Sequence, residues 1–393
     1  MESEPKISFE DTYVAFSYKS DGELKKANFV FSLVNHPWIS SLATGLVKVG
    51  FQLKLPIEGI IKKTVFFHFC GGESIDASKP VVDKLSKFNV QTILDFSVEG
   101  EETESAFERT ADEIIRTIEN AKGKAYMPFC VFKPTGIASS TLLEKIQNKE
   151  SLSDEEQLLF ERTKQRFDRI CGKAYANNIS VMVDAEETWI QEPIDALVMD
   201  MMNKYNQKKA IVFNTYQLYR TAALGIMKNH FHDAVMHNCY FGAKLVRGAY
   251  MEKERKRAEL HNYPSPIHAT KEDTDKDFNL GLGFCLDNKQ RITVLCGSHN
   301  DYSNYYLTVL MEKHGMRNDD ERVWFSQLYG MSDNISFNLA KAGYRVAKYV
   351  PYGPVKSVMP YLLRRAKENT SVAGQSSREL NLIRKELKRR RGK

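Results

Sequence analysis

One alternation, sustained between residues 90 and 350, limits the fold of this chain more than any other feature. Short apolar runs rich in β-branched residues recur at 90–98, 125–133, 179–185, 210–215, 243–246, 292–296, 323–326 and 346–350. Longer amphipathic segments separate them, at 104–120, 154–177, 193–205, 216–228, 275–286, 302–313 and 335–342. Runs of the first kind read as strands and segments of the second kind as helices. Ser153 with Glu156 three residues later forms a capping box that opens one of those helices. Eight β/α units over about 280 residues suit a (β/α)8 barrel and exceed most open doubly wound sheets. The expectation is an α/β fold of TIM-barrel type, with residues 1–89 as an N-terminal helical extension, 90–370 as the barrel and 371–393 as a basic tail.

Several function classes are disfavoured. No Gly-x-Gly-x-x-Gly follows the first strand; Gly281 and Gly283 lie inside a helical pattern and lack the third glycine, so a Rossmann nucleotide fold is not expected. The six cysteines, 70, 130, 171, 239, 285 and 296, form no Cys-x-x-Cys pair or zinc spacing, and read as small buried hydrophobes in a reducing compartment. The acidic start, Met1-Glu-Ser-Glu-Pro-Lys6, resembles neither a secretory signal nor an Arg-rich transit peptide, so a cytoplasmic location is expected. The apolar stretch 42–61 is broken by Lys48, Lys54, Pro56 and Glu58 and cannot span a bilayer, although it can lie on a surface or pack on the core. A net charge of +6 is modest, and much of it sits in residues 384–393; such an end reads as a solvated, partly frayed tail, and no nucleic acid is expected.

In a barrel of this type, chemistry belongs at the C-terminal ends of the strands. Those ends are polar: Asp95, Lys133, Asp184 to Glu187, Tyr216 and Gln217, Arg247 to Tyr250, Ser298 to Asn300, Gln327 and Tyr349. A convergent set of this kind exceeds what solubility requires. It holds no nucleophile with a partnered base, which points to a cofactor that carries the reaction. Gln217, Arg247, the small pair Gly248–Ala249 and His299 suit an aromatic, phosphate-bearing cofactor. Lys133, Asp184 and Tyr349 suit a small zwitterion.

After Tyr349 a turn at Pro351, Gly353 and Pro354 leads into a helical pattern. There Tyr361, Arg364, Arg365 and Glu368 share one face at i, i+3, i+4 and i+7. Two adjacent guanidinium groups can grip a carboxylate bidentately. On its own the same face is equally a solvated charge stripe. To reach a barrel site, this last helix would have to lie over the barrel mouth. Pro360 marks a kink in it or its start. The long connection 139–178, rich in Glu and Lys, reads as an added helix with a solvated face, away from the chemistry.

Lys244-Leu-Val-Arg-Gly-Ala-Tyr250, Asp184-Ala-Glu-Glu187, Gln327-Leu-Tyr-Gly-Met-Ser-Asp333, and Tyr352-Gly-Pro354 followed by Tyr361-Leu-Leu-Arg-Arg365 resemble the proline dehydrogenase family, in order, across about residues 90–370. The resemblance implies a distorted (β/α)8 barrel that binds FAD without a Rossmann fold. It implies oxidation of L-proline to Δ1-pyrroline-5-carboxylate by hydride transfer to flavin N5, with electrons passed to a quinone and therefore peripheral contact with a membrane. It places Arg364 and Arg365 on the proline carboxylate with Glu368 in support, Lys133 and Asp184 in the substrate pocket, and Tyr349 and Tyr361 against the ring. Asp184 and Lys244 become the catalytic candidates, with Lys244 near flavin N5, where several members have Arg. Gln217, Arg247, Gly248, Ala249, Ser298 and His299 would hold the flavin, and Ala185 would lie against it. Hydroxyproline-oxidising relatives lack an aromatic at the Tyr349 position, so the ring there favours proline. Another flavin barrel, a hydroxyproline dehydrogenase or a folate-linked reductase, is the rival reading.

Overall fold

The computed structural model describes residues 7–34, 58–98, 102–362 and 375–392. Eight parallel strands form a closed barrel in sequential order: β1 (Val90–Phe96), β2 (Phe129–Phe132), β3 (Ser180–Val183), β4 (Val212–Gln217), β5 (Phe241–Val246), β6 (Ile292–Gly297), β7 (Val323–Leu328) and β8 (Val346–Tyr352). The expected fold class holds. The chain divides into two compact units, Met1–Gly100 with Gln327–Lys393, and Glu101–Ser326.

The central unit carries β2 to β6 and most of β7. Its strands pair in consecutive parallel register, for instance Phe132 with Val183, Gln217 with Val246, and Gly297 with Ser326. Both faces of such strands are covered, so they read as near-continuous apolar runs. Thr103, Ser139, Ser153, Thr270 and Asn300 each accept a backbone N–H and open the helix that follows. The capping box of Ser153 and Glu156 is complete, at 3.0 and 3.2 Å. The added helix Asp154–Asn177 is not simply a solvated face. Its Arg166 is 1% exposed, pairs with Glu104 and Glu108, and donates to the Ile137 carbonyl at 3.0 Å, just beyond β2.

The other unit pairs β1 with β8 from Val90–Val346 through Phe96–Tyr352. β8 runs through Pro351 rather than stopping there. A proline is tolerated at a strand end where only its carbonyl is needed, and that carbonyl accepts Gly71 N–H at 2.8 Å. The turn falls instead on Gly353, at φ +144°.

The basic tail also departs from expectation: Gln375–Arg391 is a helix, and Leu380, Leu382, Ile383 and Leu387 pack with Phe16, Leu24, Ala27 and Phe31 of the N-terminal helices. Arg389 and Arg390 are committed to Glu386, and Arg390 also reaches Asp21. Beneath this helix lies a buried polar group that the sequence did not announce. Asp333 accepts from Tyr18 and Lys19, both at 2.8 Å, and pairs with Lys348 of β8 at 3.0 Å, while Glu379 accepts Ser332 N–H. Burial pushes the Asp333 carboxyl up, but Lys19 and Lys348 outweigh it and hold it well below the usual carboxylate range. All six cysteines are buried and unpaired, as small hydrophobes would be.

Candidate active site

Within the central unit, the predicted residues sit at the C-terminal edge of its parallel sheet. Lys133 follows β2, Asp184 follows β3, Gln217 ends β4, Lys244 lies in β5 with Arg247 just beyond it, and Ser298–His299 follow β6. Because every strand runs the same way, residues scattered over about 170 positions of sequence share one edge.

Three contacts bring several of these residues together. Lys244 Nζ donates to Asp184 Oδ1 at 2.6 Å, with side chains 9% and 16% exposed. Arg247 donates to Ser298 Oγ at 2.8 Å, and also to Asp275 Oδ1 at 2.7 Å and Ser303 Oγ at 2.9 Å, with its Cζ 4.4 Å from the centroid of the Phe278 ring. Those bonds use three of the five guanidinium N–H groups and fix its orientation. Gln217 Nε2 donates to the Glu186 carbonyl at 2.6 Å, and its Oε1 accepts Ala249 N–H at 3.3 Å. Gln217 therefore braces the loops after β3 and β5 against each other.

Gly248 has φ +135°, and a Cβ there would lie 2.5 Å from the Tyr219 ring, so only glycine fits. Gly248 and Ala249 are exposed, small residues beside a fixed cation. With Lys133, Lys244 and His299 on the same edge, this donor set fits an anionic cofactor that has a flat aromatic part. Ala185 is buried and follows Asp184 directly, and the Asp184 N–H donates to the Phe132 carbonyl at 2.9 Å.

Sequence reasoning named Glu186 only as part of the polar end of β3 and gave no role to it, Thr135, Asp275 or Ser303. Glu186 is 4% exposed and accepts both Thr135 N–H, at 2.7 Å, and Thr135 O–H, at 2.8 Å. Burial pushes its carboxyl up to about 7, against the bonds from Thr135 and the nearby Lys133 charge. Among the described residues no group of three or more metal-ligating side chains occurs, and no helix is long and apolar enough to cross a membrane.

In the other unit, Tyr349 is buried in β8 and its carbonyl accepts Tyr329 N–H at 2.8 Å. Tyr361, in the helical stretch 355–362, packs with Val30, Ile61, Phe66, Phe69 and Met331. Arg364, Arg365 and Glu368, and most of the stretch 42–61, lie outside the described residues.

Comparison with known proteins follows the same lines. The chain is 34% identical over 322 residues to the carbapenem antibiotics biosynthesis protein CarD of Pectobacterium carotovorum, covering 82% of this chain and 83% of that protein. It is 31% identical over 426 residues to the mitochondrial proline dehydrogenase 1 of Dictyostelium discoideum, covering 97% of this chain and 74% of that one. The fold matches proline utilization A of Bdellovibrio bacteriovorus inactivated by N-propargylglycine, with a TM-score of 0.71 at 22% identity. That match covers 93% of this chain and 37% of the larger protein, so the chain spans little more than a third of its length. Residues 79–378 match the proline dehydrogenase family model, and with that span and these relatives the chain belongs to the proline dehydrogenase family.

Proposed function

We propose that the protein oxidises L-proline to Δ1-pyrroline-5-carboxylate with FAD as cofactor and a quinone as final acceptor. The observation that carries this reading is the buried Lys244–Asp184 pair beside the braced Arg247–Gly248–Ala249 turn, on one edge of a barrel of this family. FAD, when bound, supplies the acceptor for the hydride from the carbon beside the ring nitrogen.

The residues do the rest. Asp184 accepts one proton of the Lys244 ammonium and so orients it at this edge. Arg247 and His299, with the exposed Gly248–Ala249 turn, hold the cofactor's anionic parts, and Gln217 and Ser298 keep that turn and that guanidinium in place. Lys133 and Asp184 bind the zwitterion, Tyr349 and Tyr361 contact its ring, and Arg364 and Arg365 take its carboxylate with Glu368 in support. Two charge-assisted pairs, at roughly 1.5–3 kcal/mol each, suffice to anchor so small a ligand. A quinone acceptor implies peripheral contact with a membrane. The test is substrate choice: with a dye acceptor the yellow protein should turn over L-proline and not NAD(P)H. Turnover of NAD(P)H alone would identify a folate-linked type of reductase instead.

A further inference from the structure

We propose that Glu186 is a positioning residue that sets the spacing of Lys133 and Asp184 by clamping the loop after β2 to the loop after β3. The proposal rests on the reading of this edge as the proline site. β2 and β3 pair up to Phe132–Val183, and the last ladder bond runs from Asp184 N–H to the Phe132 carbonyl. The paired register ends there, and Lys133 and Asp184 are the residues that directly follow it on the two strands. Two residues further along each loop, Thr135 and Glu186 meet, and both carboxylate oxygens are used, on the N–H and the O–H of one threonine.

Glu186 is itself held on both sides of its main chain. Its N–H donates to Gln191 Oε1 at 2.7 Å, and its carbonyl accepts from Gln217. Gln191 in turn donates to Asp195, which also accepts from Asn214, both at 2.8 Å. The loop after β2 is pinned from its other side by Arg166 on the Ile137 carbonyl. A carboxyl this buried carries a desolvation cost, and here two hydrogen bonds offset it at one particular threonine.

The fold contains a control. Glu254, fully buried in the helix Met251–Leu260, takes Thr188 N–H at 2.7 Å and Thr188 O–H at 2.6 Å in the same two-pronged way. That clamp ties Thr188, at the start of the helix after β3, to the helix after β5, and takes no part in the Thr135–Glu186 contact.

The experiment uses the flavin-loaded enzyme and a saturated five-membered-ring carboxylate without the amine, which cannot be oxidised, measured by calorimetry. Glu186→Ala should weaken its binding about tenfold, with Thr135→Val weaker in effect, and Glu186→Gln should restore most of the loss, because an amide can still accept from the N–H and donate to Oγ. In a Lys133→Ala background the Glu186→Ala effect should fall below about twofold, since coupled positions are not additive. Glu254→Ala should lower the melting temperature yet leave binding in place. An undiminished effect in the Lys133→Ala background, or an equal loss from Glu254→Ala, would overturn the proposal. If the wild-type protein does not bind the carboxylate, the proline reading falls instead. The clamp is then read from amide exchange across residues 133–137, which must quicken in Glu186→Ala and not in Glu254→Ala; unchanged exchange overturns it.

Discussion

Lys244 and Asp184, 60 positions apart in sequence, form a 2.6 Å ion pair between the ends of β5 and β3 with little of either side chain exposed. Removing one partner of such a pair leaves an uncompensated charge in a poorly hydrated place, which costs more than the pair itself contributes. Asp184→Ala should therefore destabilise the protein by about 3 kcal/mol. The double change Asp184→Ala with Lys244→Met should recover part of that loss. Urea denaturation of the wild type and the two variants checks both expectations.

The carboxylate grip assigned to Arg364 and Arg365 predicts a different pattern. Losing either guanidinium should raise the Michaelis constant for L-proline by one to two orders of magnitude, at about 1.4 kcal/mol per tenfold. Flavin content should stay as in the wild type. Steady-state kinetics beside a visible spectrum separate these effects, and unchanged affinity would remove both residues from the substrate site.

In the proposed reading, specificity rests on Tyr349, which is buried within β8. Tyr349→Ser should improve the ratio of kcat/KM for hydroxyproline over that for proline. An unshifted ratio would argue that the ring packs the strand and does not select the substrate.

The carboxyl of Glu186 gives a pH prediction. Its folded value, about 7, lies above the ordinary glutamate value of 4.5, so its contribution to stability is fully present below about pH 4.5 and is lost as pH rises through 7. The loss reaches at most about 3 kcal/mol, at 1.36 kcal/mol per unit. Glu186→Gln should match the wild type near pH 5 and be the more stable protein at pH 8. Denaturation at the two pH values measures the difference; an equal gap at both would contradict it.

The barrel was legible because each strand, covered on both faces, is a contiguous apolar run. Where an edge was misplaced, a physical reason is visible. β5 begins at Phe241 rather than Ala243 because Gly242 interrupts the run, and a Cβ there would sit 2.5 Å from the Val212 carbonyl of the neighbouring strand. The site's charged residues were legible as a list of strand ends. Their partners were not: Asp275 opposite Arg247 and Thr135 opposite Glu186 come from loops and helix starts whose meeting only the folded sheet determines. The same holds for Lys19 and Asp333, 314 positions apart, and for the C-terminal helix, whose apolar stripe is diluted by six basic residues between 384 and 391.

The most direct test is an anaerobic titration of the purified protein with L-proline, followed at the visible flavin band. Oxidation of proline by this site predicts that the band bleaches as proline is added and returns when a quinone is admitted. A band that proline leaves untouched, while NADPH bleaches it, would contradict the assignment.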